Sequence, residues 1–274
     1  MILRTAAALA LLLPALPAPA QFEGVAHVEM ASGEGELGVT GKGQMFMTSA
    51  AWRVEMDLNT PTGASPAKRG GPATRQATRL VVFGKASEPR KTWMLNDRKK
   101  VYAVIEDVDR GEAPAPDWKV ARAGQDKVAG IACTSVKAQR EGDEEVHEAC
   151  LAKDFVSGDW LKSVNESQEL WLTAVQKAGF TGFPVRQVSR TRDGKVTNRF
   201  EIVKLERRKV PASMFEVPAG YRKGEPLDVM PMSAEQQQQM QEAQRQAAEH
   251  MKNMSPEQKK MMEEMMKKYG AGKK

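Results

Sequence analysis

The residues best suited to chemistry are two cysteines, three histidines and a cluster of methionines. Cys133 and Cys150 are the only cysteines. If Glu141-Gly142 forms a two-residue turn, they face each other as a non-hydrogen-bonded pair, where Cα atoms approach to about 4.5 Å, a separation that a disulfide tolerates. A turn at Gly142-Asp143 would offset them. No Cys-x-x-Cys spacing points to redox catalysis, and in an oxidising compartment the pair reads as a structural bridge. His27, His147 and His250 are the only histidines, and none has metal-binding spacing to a cysteine or another histidine. The chain has no nucleophile elbow, zincin helix, phosphate loop or dinucleotide fingerprint. The expectation is no catalytic residue, no cofactor and no enzyme. One weak metal set remains: His250 with Met251, Met254, Met261 and Met265, whose soft thioethers suit Cu(I).

The N-terminus predicts where this chemistry takes place. Arg4, the apolar run Ala6 to Leu13 and Ala18-Pro19-Ala20 form the three parts of a secretory signal, with cleavage between Ala20 and Gln21. The apolar run is shorter than the roughly 20 residues that span a bilayer. No cysteine follows the cleavage site to carry a lipid. The expectation is a periplasmic or secreted protein. The full chain has 274 residues and a net charge of +6, or +5 without Arg4. That charge is thinly spread, with no aromatic-interleaved basic stripe, so nucleic acid is not expected as a partner.

The mature chain divides into a β domain at 21–222, a Pro-bearing linker at 223–232 and a Met/Gln/Lys-rich helical tail at 233–274. Alternation is clearest at Trp52, Val54, Met56 and Leu58, with Arg53, Glu55 and Asp57 on the opposite side: a strand with one buried and one wet face. Phe22, Ala26, Val28 and Met30 predict a similar first strand. Further strands are expected near 36–48, 78–84, 91–96, 99–105, 131–139, 144–151, 185–192 and 195–206, close enough in sequence for an antiparallel meander. Asp193-Gly194 predicts a hairpin turn that aligns Val185 with Ile202. Residues 59–77, rich in Pro, Gly, Ala and Arg, and residues 106–124, which carry Asp, Pro and Gly, read as long loops. A helix is expected at 157–178, carrying Trp160 and Trp171 and stopping at Gly179.

In the tail, Ser233 with Gln236 and Ser255 with Gln258 are helix-starting signals. Met261/Met265 and Met262/Met266 are i,i+4 pairs. Three readings stay open: a soft apolar stripe, docking on a partner protein or membrane surface, and Cu(I) capture.

Several segments together resemble a known family. These are Val128-Ala129-Gly130-Ile131-Ala132-Cys133, Cys150-Leu151-Ala152-Lys153-Asp154, Trp93-Met94-Leu95-Asn96-Asp97, Lys100-Val101-Tyr102 and Met214-Phe215-Glu216-Val217-Pro218-Ala219-Gly220-Tyr221. They resemble the domain-of-unknown-function 4412 family of exported bacterial proteins, over most of residues 22–222. That family is similar in architecture to the periplasmic lipoprotein carriers. The resemblance implies a mainly β, α+β fold: a curved antiparallel sheet or half-barrel with one helix on its concave face. It also implies a binding protein for a lipid or lipoprotein acyl chain. From alternation, the candidate cavity-lining residues are Trp52, Val54, Met56, Leu58, Trp93, Leu95, Trp160 and Trp171. The competing expectation is an envelope scaffold whose Met-rich tail does the work.

Overall fold

A computed structural model describes residues 22–33, 38–62, 74–106, 117–153, 155–156 and 170–229, together with Glu242, Arg245, Gln246, Glu249 and Ser255. Residues 1–21, which hold the signal reading, lie outside this set, as do Trp160 and the Cu(I) candidates His250, Met251, Met254, Met261 and Met265.

The described chain is mainly β, as expected. Strands β1 (Gly24–Ser32), β2 (Val39–Met47), β3 (Ala51–Thr62), β4 (Thr74–Lys85), β5 (Lys91–Asn96) and β6 (Val101–Glu106) form one antiparallel meander. Strands β7 (Trp118–Val128), β8 (Ile131–Arg140), β9 (Glu145–Ala152), β10 (Phe183–Thr191) and β11 (Val196–Glu206) form a second. Pairing of β1 with β11 joins them, and β12 (Arg222–Lys223) adds a parallel edge to β6. The result is a single 12-stranded sheet in the order β12-β6-β5-β4-β3-β2-β1-β11-β10-β9-β8-β7. The sheet is curved: β7 approaches β11 although three strands lie between them.

Side chains alternate between faces along each strand, so the registers sort the residues into two sides. One cross-strand row runs Val136–Ala149–Gln187–Phe200–Met30–Gly41–Leu58–Thr78. A parallel row on the same face runs Ala26–Met45–Val54–Val82–Met94–Ala103. We call this face A. Face B carries Val25–Phe46–Arg53–Phe83–Trp93–Val104.

Helix α1 (Leu170–Lys177) packs Trp171, Leu172 and Val175 on Val136, Ala138, Ala149 and Leu151. By register these belong to face A, the face that also carries Met56 and Leu58. The expected start of this helix, 157–169, lies outside the described residues. Gly179, with φ of 86°, ends it in the left-handed conformation that glycine tolerates.

Both expected loops are shorter than anticipated. The β3–β4 hairpin remains paired out to Thr62↔Thr74, consuming both ends of 59–77. The β-branched Thr60 favours that extension. Within 106–124 lies the start of β7, an edge strand paired to β8 along its length. Trp118 and Val120 are half-buried against the α1 cluster, but from Ala121 to Lys127 the strand is mostly exposed, so it carries too short an apolar alternation to be recognised as a strand. The predicted linker is also partly docked: Gly224 N–H donates to the Tyr102 carbonyl at 2.8 Å, and the short helix α2 (Pro226–Val229) buries Val229 against Val101 and Ala103.

Cys133 and Cys150 are disulfide-bonded, and both are buried. Direct opposition is corrected, however. The ladder sets Ser135 opposite Cys150, so the cysteines are diagonal neighbours with Cα atoms 5.4 Å apart. The turn itself forms at Glu141-Gly142, with Asp143 N–H donating to the Arg140 carbonyl at 3.2 Å and Gly142 at φ 87°, but Asp143 and Glu144 stay outside the strands, and the longer loop shifts the register. At Asp193-Gly194 the register expected for the strands holds from Ser189↔Asn198 to Arg186↔Glu201, and a bulge separates it from the turn.

The bridge closes a loop of sequence separation 17, which the loop-entropy argument equates to roughly 3 kcal/mol. The Cys133→Ala/Cys150→Ala double variant should lose about 2–4 kcal/mol in urea unfolding, and reduction of the parent protein should lower its midpoint in the same direction.

Candidate functional site

The site begins with apolar alternation. Trp52, Val54, Met56 and Leu58 all lie on face A, brought together by β3. Trp52 and Met56 are buried, and Val54 and Leu58 are half-buried. Around them the sheet supplies Met30, Leu80, Val82 and Phe200, each half-buried. Glycines shape this surface. A Cβ on Gly84 would sit 2.6 Å from the Trp52 indole, so only glycine lets that ring lie flat on β4. A Cβ on Gly41 would meet Leu58 Cδ2 at 2.8 Å and Met30 Cγ at 3.0 Å. The missing side chain leaves a trough into which its neighbours lean. The rows through Leu58, Met56 and Val54, from β4 to β11, contain no charged residue.

The other candidates are not in this patch. Trp93 and Leu95 lie on face B, buried beneath Phe215, Val217 and Tyr221. Trp93 stacks on Phe83 with centroids 5.2 Å apart. Trp171 is on face A but over β7–β9, 3% exposed. Residues that sequence alone did not nominate complete the patch. In Leu80-Val81-Val82-Phe83 every position is apolar, although Val81 and Phe83 are buried on face B and Leu80 and Val82 only half-buried on face A, so alternation could not separate the two pairs.

Two cavities adjoin the patch. One, of about 450 Å³, is lined by Met30, Gly41, Thr40 and Asn59 together with charged Glu29, Lys42, Asp57 and Arg199. Lys42 lies 2.8 Å from Glu29, and its hydrogen bond and charge hold the Glu29 carboxyl below the usual range. The second, of about 520 Å³, is lined by Trp118, Glu145, His147, Trp171, Ser189 and Asn198, among others. His147 stacks on Trp171 at 5.2 Å, meets the edge of Trp118 and shares a 2.9 Å hydrogen bond with Ser189. Ser189 is 5% exposed and His147 9%. A hydroxyl so enclosed is poorly placed to attack a substrate, and the pair works as a satisfied polar contact inside a packed layer. His27 is committed to Glu206 at 3.0 Å. Among the described residues, no group of three or more His, Cys, Asp or Glu could hold a metal.

Face B explains the segments that carried the resemblance. Buried Arg53 donates to Glu55 at 2.6 Å and to the Met214 carbonyl at 3.0 Å. Glu55 also pairs with Arg79, which reaches Asp97 at 3.6 Å. Asp97 accepts the Tyr221 hydroxyl at 2.5 Å, and Lys100 caps the Tyr221 ring at 5.0 Å. Met214–Tyr221 is therefore locked over the Trp93 and Leu95 strand at both ends.

The chain belongs to the family called domain of unknown function 4412, whose model matches residues 22–221. The segments that carried the resemblance form strands β5 and β6, the cover of face B and the disulfide hairpin. No curated protein matches. Among solved structures, an uncharacterised conserved protein of Thermus thermophilus is 12% identical, with a TM-score of 0.37, covering 73% of this chain and 88% of that one. MucB is 13% identical at TM-score 0.38, over 73% of this chain and 58% of its own. The Pseudomonas aeruginosa MucA/MucB complex gives 14% and 0.36, over 72% and 55%. The chain thus spans little more than half of the MucB chains it matches. Similarities of this size carry no argument about ligand or partner.

Burial, and then the hydrogen bond to Asp97, push the Tyr221 phenol up to about 12 from 10.0. The unfolded phenol therefore ionises first as pH rises. The stability contributed by Tyr221 is complete below about pH 10 and is lost between about pH 10 and 12. Tyr221→Phe should flatten that part of the stability–pH curve in urea titrations at pH 8, 10 and 11, while costing roughly 1 kcal/mol at pH 8 through the lost hydrogen bond.

Proposed function

We propose that this DUF4412 protein is an exported, non-enzymatic binding protein that holds an apolar ligand, such as a lipid acyl chain, on face A. One observation carries the reading: the charge-free patch of half-buried Met30, Val54, Leu58, Leu80, Val82 and Phe200. It extends from β4 to β11, four strand spacings or about 19 Å. A monomer that only needed a core would bury these side chains or replace them with polar ones, and contiguous apolar surface of this kind marks a binding site. The buried disulfide supports an oxidising compartment outside the cytoplasm. Among the described residues, no helix is long and apolar enough to cross a membrane.

The test is titration with N-phenyl-1-naphthylamine, a neutral apolar fluorophore, alongside native mass spectrometry of the protein as purified. We expect saturable binding and a co-purifying acyl-chain mass. Leu58→Asp places a charge in the middle of the patch and should weaken the probe by about tenfold or more, with the circular dichroism spectrum unchanged. No saturable binding to the parent protein, together with a clean apo mass, would overturn the proposal.

A further inference from the structure

We infer that the chain's own C-terminal segment, residues 240–254, occupies face A when no ligand does. The inference rests on the same apolar patch as the proposed function and concerns its regulation. Three observations lead to it. First, the domain ends on that face. Val229 is 2% exposed and packs with Val101, Ala103 and Met94, and Met94 and Ala103 end the row Ala26–Met45–Val54–Val82–Met94–Ala103. Asn96 fixes this exit by donating its side-chain amide to the Asp228 carbonyl at 3.3 Å. The chain is therefore released beside the patch rather than behind it.

Second, reach is sufficient. Ten residues separate Val229 from Met240; extended to Ser233 and helical from there, they reach about 24 Å. The patch starts one strand from Met94 and ends at β11, about 24 Å away at the usual strand spacing. Third, the segment has two faces. Glu242, Arg245, Gln246 and Glu249 are helical and exposed. Their spacing of three, one and three residues places them on one side of a helix. The opposite side of that pattern reads Met240, Ala243, Ala247, Met251 and Met254, an apolar stripe at helical period. Small alanines between flexible methionines suit close approach to an irregular surface such as the trough over Gly41. A tethered stripe competes at high effective concentration, so a ligand must displace it.

Two measurements on the full chain test this. A photo-crosslinking residue at position 251 should join to peptides from 51–62 or 74–85, with a yield independent of protein concentration. Met240→Gln/Met251→Gln/Met254→Gln should bind N-phenyl-1-naphthylamine roughly three- to tenfold more tightly than the parent chain, because the competitor is lost. The corresponding Leu variants should retain the parent affinity. Crosslinks that fall only between molecules, or on none of these strands, overturn the inference, as does unchanged probe affinity in the Gln variant. The two proposals fail separately. Crosslinking to face A without probe binding in any variant sinks the ligand reading and keeps this one. Equal probe binding without crosslinks does the reverse.

Discussion

A single sheet has two faces, and each apolar side chain on either face must be withdrawn from water by something other than the sheet itself. That constraint organises this molecule. Twelve strands make a large area; among the described residues α1 covers the β7–β9 part of face A, Phe155 and Val156 join the buried side chains of β1–β3, and the 210–221 segment covers part of face B. Elsewhere the sheet takes one of two courses. On face B, beyond its cover, the rows become charged: Arg79, Asp57, Lys42, Glu29, Glu201 and Arg186 stand in register across six strands. On face A the uncovered rows stay apolar.

The cover of face B shows how a short irregular segment can do the work of a helix. Phe215 supplies the apolar contact, but 3-10 geometry over four residues leaves backbone groups to satisfy. Arg53 answers by donating to the Met214 carbonyl from within the sheet. An arginine that is 8% exposed would be costly without a counter-charge, and Glu55 supplies it. The same carboxylate continues through Arg79 to Asp97 and Tyr221, so the polar side of β3 is committed to holding the cover.

The alternation of Trp52 to Leu58 was legible in the sequence because β3 has chemically unlike faces in that stretch. So were the meander, the disulfide and the strand register above Asp193-Gly194, each set by local pattern. Strand β7 was not, since apart from Trp118 and Val120, which pack on the α1 cluster, this edge strand is mostly exposed and carries little apolar period. The grouping of Trp93 with Trp52 also could not be read. Both are aromatic positions in strands, but Trp52 pairs with Gly84 on one face and Trp93 with Phe83 on the other. That one-residue difference is fixed by how β4 pairs on each side, which no single strand records. The cysteine register failed for a related reason: the turn forms at Glu141-Gly142, but Asp143 and Glu144 also stay outside the strands, and that longer loop shifts the strand by two residues without changing faces. A disulfide survives such a shift because diagonal neighbours can still approach closely enough.

The contrast between the two faces bears on function more than any single residue does. Charged rows on face B show that this sequence can make an uncovered strand surface water-compatible at no cost to pairing. Face A lies on the opposite side of the same β1–β4 strands, where the same substitutions would be sterically free, yet Met30, Leu58, Leu80 and Val82 remain apolar beside glycines that deepen the surface. Methionine and leucine leaning over Gly41 bring flexible side chains to a depression, an arrangement that tolerates several shapes of apolar partner rather than selecting one. A covering segment tethered at Val229 would satisfy this surface without removing its use, because an occupant held by soft apolar contacts can exchange. The apolar rows, the glycine trough and the exit of the chain beside them are then parts of one arrangement: a face kept unsealed by its own fold, and closed only by something that can leave.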